Sequence, residues 1–277
     1  MSRVKIVVCC HQDGIYKESD VYLPLFVGKK LSNLQLNMQG DDTGDNISEK
    51  NRSYCELTGL YWAWKNLKDA DFIGLCHYRR YFDFNHIGRR GLPVTTISSS
   101  DLVSTELAIS NKALSWLESG GIILAKEMHL KSSVYLHYCE SHYSKDFRVI
   151  GDVLKEKFPS KYIAALINAT MESNRVSFFN MMIMPKQQLH HYCSWLFALL
   201  AEVEKRIDIS SYDAEQKRIY GFMAERLLNV YAKAEQLKVM HVPVLRVSDT
   251  PLPDEHFPLM KYKLRCLLYD LAMKMTK

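Results

Sequence analysis

Apolar positions along this chain fall into short unbroken runs and longer stretches with a helical repeat, and the alternation of the two predicts an α/β protein. Residues 4–10, rich in β-branched side chains and stopped by the polar His11-Gln12-Asp13-Gly14, read as a strand buried on both faces. Residues 40–46 are dense in Gly, Asp and Asn and predict a loop. Leu57, Leu60, Tyr61 and Trp64 then recur at helical spacing, which gives a helix an apolar face for the sheet. Ser53 and Glu56 fit a capping box at its start. A second buried strand is expected at residues 71–76, ending abruptly in His77-Tyr78-Arg79-Arg80-Tyr81. Helix, short turn, strand and polar loop in that order form a β/α unit whose functional edge is the loop. Further strands are expected at 121–124, 178–184 and 239–247, the last interrupted by Pro243. Helical stretches at 132–147, 187–206 and 214–236 fill the second half, the third striped by Ile219, Met223, Leu227, Val230 and Tyr231.

A chain of 277 residues with 47% hydrophobic and 24% charged residues buries a full core. No apolar run approaches the roughly 20 residues that span a bilayer, and the apolar run after Met1-Ser2-Arg3 is too short for a signal peptide, so a cytoplasmic location is expected. The seven cysteines are odd in number and scattered, with no CxxC pair, which suits reduced thiols rather than disulfides or a zinc site. Cys76 and His77 would point to opposite faces of a strand, which disfavours a nucleophilic pair. The net charge of +5 is concentrated at the end of the chain, where Lys261, Lys263, Arg265, Lys274 and Lys277 face only Asp270. That distribution argues against a nucleic-acid surface spread over the domain. Pro251, Pro253 and Pro258 mark a linker, so residues 248–277 read as a linker and a basic tail helix. Its Leu264, Leu267, Leu268, Leu271 and Met275 fit an interfacial amphipathic helix drawn to anionic lipid, or else a helix that packs to close the domain.

No Walker loop, G-x-G-x-x-G or kinase signature is present, so a phosphate ligand needs another cradle. Arg79 and Arg80 at the end of a strand supply one, because guanidinium groups bind phosphate oxygens in pairs and keep their charge. Lys65 adds a point charge. An Arg-Arg pair also reads as a solvated surface pair. His11 and Gln12 stand beyond a strand's carboxyl end, where open α/β sheets bind ligands. Their other reading is loop polars. Tyr78, Tyr81 and Phe82 are either stacking surfaces for a base or sugar, or a turn tucked into the core.

Several blocks carry a family resemblance: Gly44-Asp45-Asn46-Ile47-Ser48, Tyr54-Cys55-Glu56-Leu57-Thr58, Tyr61-Trp62-Ala63-Trp64-Lys65-Asn66, His77-Tyr78-Arg79-Arg80-Tyr81-Phe82, residues 179–184, residues 192–197, and Ala224-Glu225-Arg226-Leu227. In this order they resemble a family of bacterial capsular and exopolysaccharide synthesis proteins long catalogued as a domain of unknown function. Its members are regarded as glycosyltransferases, some of them galactofuranosyltransferases. The resemblance implies a GT-A-like fold over residues 1–247, a mostly parallel sheet flanked by helices with a helical C-terminal half. Residues 1–125 would bind the nucleotide sugar and 126–247 the acceptor.

The implied reaction moves galactofuranose or galactose from a UDP-sugar to a lipid-linked oligosaccharide, in capsule, exopolysaccharide or O-antigen synthesis. The protein would sit on the anionic inner-membrane surface through its basic tail. The donor site expected from the blocks and strand ends comprises His11, Gln12, Asp45, Asn46, Ser48, Lys65, His77, Tyr78, Arg79, Arg80 and Asn180. Where the fold usually carries Asp-x-Asp for a metal, this chain has His77-Tyr78-Arg79. The expectation is therefore that no metal is required, Arg79 and Arg80 taking its electrostatic role. Mn2+ held by Asp41, Asp42 and Asp45 is the disfavoured alternative. The candidate bases are His142 or Asp146, placed with Tyr138 on one helical face, and Glu225, placed off the core stripe. A different class of function also fits: a non-catalytic carbohydrate-binding or assembly protein using Tyr78, Tyr81, Trp62 and Trp64 as platforms.

Overall fold

The computed structural model describes residues 3–88, 91–250 and 259–275. The prolines of the expected linker lie outside them. The strands are β1 (Val4–Cys10), β2 (Tyr22–Phe26), β3 (Gln39–Gly40), β4 (Phe72–His77), β5 (Arg80–Phe82), β6 (Val94–Ile97), β7 (Ile122–Ala125), β8 (Met128–His129), β9 (Arg175–Val176), β10 (Met182–Pro185), β11 (Val239–Val242) and β12 (Val244–Val247). The α-helices are α1 (Asn51–Tyr54), α2 (Leu57–Asn66), α3 (Ser99–Ser104), α4 (Asn111–Glu118), α5 (Val134–Ser141), α6 (Ser144–Lys157), α7 (Ser160–Leu166), α8 (Lys186–Glu204), α9 (Ile219–Ala234) and α10 (Leu259–Met275).

The central sheet runs β11-β7-β10-β4-β1-β2-β3. Its members are parallel except β10, which lies antiparallel to both β4 and β7. Strands from both sides of residue 125 share it. Alternate residues of β1 feed two cores, as the two-residue period of a strand requires: Val7 and Cys9 join the layer of α2, α6, α8 and α9, whereas Ile6, Val8 and Cys10 join Tyr81, Phe82, Leu102 and Leu117 on the other face. Gly74 permits the close approach of β10. A Cβ there would meet Ile183 Cγ1 at 2.8 Å and the Met182 carbonyl oxygen at 2.9 Å.

A branch leaves the sheet beside β4. β5 turns back antiparallel through the pair His77–Arg80, β12 pairs antiparallel with β5, and β6 runs parallel to β12. The carboxyl ends of β1 and β4 and the branch thus converge at one end of the molecule. α10 lies elsewhere, docked by Asp270 on Arg175 at 2.6 Å and His129 at 3.7 Å, with Tyr262 edge-on to the His129 ring.

Three expectations are corrected. The stretch 132–147 is two helices, because His142 takes extended angles (φ −138°, ψ 163°), so Tyr138, His142 and Asp146 share no helical face. The capping box does not form: the Ser53 hydroxyl bonds the Lys50 carbonyl, and Glu56 faces a different partner. Cys55, at φ 52°, breaks the chain between α1 and α2. The strand expected at 178–184 starts only at Met182, since Phe179 and Asn180 hold positive φ. The stretch 239–247 is interrupted at Pro243 as expected, into β11 and β12.

Candidate active site

A cleft of about 1110 Å³ opens beyond the carboxyl ends of β1 and β4, where ligands meet open α/β sheets. The ends of β1, β4 and β5 and the residues beyond them contribute Cys9, His11, His77, Tyr78, Arg79 and Arg80, and α1 with the turn after it contributes Asn51, Arg52, Cys55 and Glu56. Phe179, Arg246 and the segment entering α9, with Lys217, Arg218, Phe222 and Glu225, close it. Six cationic side chains face two carboxylates, so the cleft is built for an anion.

Arg80 lies at its centre. It is the antiparallel register partner of both His77 and Arg246, which brings two guanidinium-bearing residues opposite each other across β5 and β12. Like charges so placed are destabilising without a counter-charge. The Arg80 guanidinium rests over the Phe179 ring at 4.6 Å, and its Nε is buried with no hydrogen-bond partner. Burial lowers its pKa, and the nearby charges of Glu225 and Glu56 oppose that shift; a guanidinium nevertheless stays charged. Arg79, exposed, covers the Tyr78 ring at 4.8 Å, and His11 meets the same ring edge-on at 5.2 Å.

His77 Nε2 lies 2.6 Å from the Phe179 carbonyl oxygen. A carbonyl only accepts, so Nε2 carries the proton and Nδ1 is the free acceptor. Burial, reinforced by Arg80, pulls the imidazole down to about 4, which keeps it neutral at pH 7. His11 is lowered as well, by burial first and then by Arg79 and Arg218. Glu225 is bonded on both oxygens: Oε1 accepts the Phe179 amide at 3.1 Å and Oε2 accepts Arg226 Nη1 at 2.8 Å. Burial raises its pKa against the pull of Arg226. Glu56 Oε1 accepts Asn180 Nδ2 at 2.7 Å, and the same nitrogen donates to the Gly221 carbonyl at 3.1 Å.

Of the residues expected from the sequence, His11, His77, Tyr78, Arg79, Arg80 and Glu225 come together in this cleft, and fully buried Asn180 supports its wall. The others do not line it. Gln12 is exposed beside it, Asp45 pairs with Lys65 at 3.6 Å and accepts from Tyr61, and Asn46 bonds within its own loop. Ser48 is buried against Asp41, whose carboxylate also accepts the amides of Gly28 and Lys29 and so closes the loop. His142 stands behind the wall, stacked on Phe222 with ring centroids 4.2 Å apart. Asp146 is 3% exposed and takes the Tyr212 hydroxyl on both oxygens, which leaves it no path to an acceptor. Both are corrected as bases on placement.

The stacking platforms are corrected too: Tyr81, Tyr78 and Trp62 are buried, and Trp64 is covered by Phe197 and by the Lys65 ammonium at 3.9 Å. Cys76 is fully buried with its thiol pushed well up by desolvation, so no Cys-His nucleophile forms. At the end of β4 the donor set of imidazole and guanidinium groups does not fit a divalent cation. Sequence reasoning missed Glu56, explained away as a cap, and Arg52, Lys217, Arg218 and Arg246. Only Arg246 left a signal, a charge inside the apolar run Val244-Leu245-Arg246-Val247.

A family model described as "Domain of unknown function (DUF4422)" matches residues 5–236. Among solved structures, the apo structure of the bifunctional glycosyltransferase WbbM is similar to this chain, with a TM-score of 0.79 and 30% identity over 91% of this chain. The match takes in 48% of the WbbM chain, so this chain spans about half of that protein's length. The two share the α/β fold, a mostly parallel sheet flanked by helices. No curated protein matches the chain.

Proposed function

The chain belongs to the DUF4422 family, and from that premise and the cationic cleft we propose that it is a glycosyltransferase using a UDP-sugar donor. The observation that carries this reading is the cluster of six cationic side chains around Arg80, whose Nε is buried and without a hydrogen-bond partner among the described residues, in a cleft at the ends of parallel strands. A diphosphate is the ligand class that matches such a cluster. Similarity to WbbM supports transfer as the chemistry.

In this reading Arg79 and Arg80 hold the diphosphate and neutralise the charge that develops as it leaves. His77, neutral and donating to Phe179, buttresses the loop rather than adding charge. The guanidinium groups do the electrostatic work without a metal. The sugar suggested by the family resemblance is galactofuranose or galactose, and the acceptor a lipid-linked oligosaccharide of capsule, exopolysaccharide or O-antigen synthesis.

A lipid-linked acceptor places the reaction at a membrane face, and α10 supports that location. No helix among the described residues is long and apolar enough to cross a membrane. One face of α10 docks through Tyr262 and Asp270, and the opposite face exposes Met260, Leu264, Leu267, Leu268, Leu271 and Met275. Lys261, Lys263 and Lys274 are exposed beside that stripe, the pattern of a helix lying in an anionic interface.

The test is UDP release from a panel of UDP-sugars, with and without acceptor lipid, in EDTA and in Mn2+. Release that survives EDTA with one donor is the expected result. Silence with every donor under both conditions would sink the proposal.

A further inference from the structure

We propose that Glu56 is the base that takes the proton of the acceptor hydroxyl, and that Asn180 is the residue that aims it. The inference rests on the transfer reading above and names the group that reading lacks.

Backbone strain is the first argument. Among the described residues, positive φ outside glycine occurs at Cys55, Phe179, Asn180 and Gln236. The first three converge on this cleft. Such conformations persist only where the surroundings over-determine them, and they gather at working sites. Cys55, at φ 52°, ends α1, and the next residue, Glu56, stands at the start of α2 with its side chain making no cap hydrogen bond and lining the cleft instead. Asn180 tolerates its own φ of 52° better than most residues. That conformation delivers its amide to Glu56 Oε1 at 2.7 Å and to the Gly221 carbonyl at 3.1 Å. The carboxylate is thereby tied to the turn before β10 and, through the same amide, to α9.

The second argument separates Glu56 from Glu225. Glu225 is bonded on both oxygens, and its cationic partner Arg226 is 3% exposed. Protonating Glu225 would leave a buried guanidinium without its counter-charge, which is strongly unfavourable. Its role is to hold the Phe179 turn and the Arg226 charge in place. Glu56 has a neutral partner on one oxygen, while Oε2 makes no hydrogen bond among the described residues and is not enclosed. A proton received there strands no charge. The negative charge of Glu56 is also felt at Arg80 and Glu225, so it lies within electrostatic reach of the proposed diphosphate clamp in the same cleft.

The step then balances. The acceptor oxygen bonds to the anomeric carbon of the sugar as its proton passes to Glu56 Oε2. The bond from that carbon to the diphosphate oxygen breaks, and its electron pair departs with UDP, held by Arg79 and Arg80.

Glu56→Gln preserves size and an acceptor for Asn180. With the donor on which the wild-type protein is active, kcat is expected to fall by ~10²–10⁴-fold. The affinity for UDP, measured calorimetrically, should stay within about threefold. Asn180→Ala should lower kcat by roughly tenfold at unchanged UDP affinity, a split that a purely structural role would not produce. A Glu56→Gln protein with wild-type kcat, or one whose whole loss lies in UDP affinity, overturns the inference while the transfer reading stands. A wild-type protein that transfers from no donor overturns the reading itself, and this inference with it.

Discussion

Arg80 illustrates how single residues govern this site. Its guanidinium is stacked on Phe179 and its register partner is Arg246, so in the proposed reading its removal deletes a phosphate ligand held in place beforehand. Arg80→Ala is expected to weaken UDP binding by ~10-fold or more, equivalent to about 1.5–3 kcal/mol for a charge-assisted hydrogen bond. Arg79→Ala, at an exposed position, should cost less, and isothermal titration of both variants decides the order. His77 carries a pH signature. Its folded pKa, about 4, lies below the ordinary 6.5, so the unfolded chain binds the proton more readily. Its contribution to stability is therefore present above pH 6.5 and is lost as pH falls through about 4. Urea midpoints between pH 7 and pH 4 should decline less in His77→Gln than in the wild-type protein. Equal slopes would refute that assignment.

At the scale of elements, β4 and β10 carry the sheet past the site, and their spacing depends on a missing side chain. Gly74→Ala would press a methyl group against the Met182 carbonyl, 2.9 Å away and unable to swing aside. Overpacking of this kind costs about 1–3 kcal/mol, and a lowered urea midpoint with unchanged m-value is the expected result. The buried strands β1 and β4 and the helices α2, α8 and α9 were legible in the sequence, because unbroken apolar runs and helical stripes report local burial. The break at His142 was not legible. Residues 132–147 keep a helical look in sequence, and only the packing of His142 on Phe222 shows what the chain gains by turning there.

For the whole molecule, the membrane reading of α10 predicts binding to vesicles containing anionic phosphatidylglycerol, weakened by high salt. Replacing Leu264, Leu268 and Leu271 by Gln should abolish co-sedimentation while leaving UDP binding intact; retention of lipid binding would refute it. The sequence by itself determined the fold class, the strand that ends at His77 and the Arg79–Arg80 pair, since these follow from apolar periodicity and from charge placed where a strand must stop. Tertiary structure alone decided which distant residues join them. Asp45, Ser48 and Lys65 sit in recognisable blocks yet spend their polar groups on one another and on their own loop. Glu56 looked like a cap and became a cleft carboxylate, because its partner Asn180 lies more than a hundred residues along the chain. Periodicity records which face of an element is buried. Which elements then meet at a strand's end is decided by long-range packing, and in this protein that packing placed a carboxylate in the same cleft as the paired arginines.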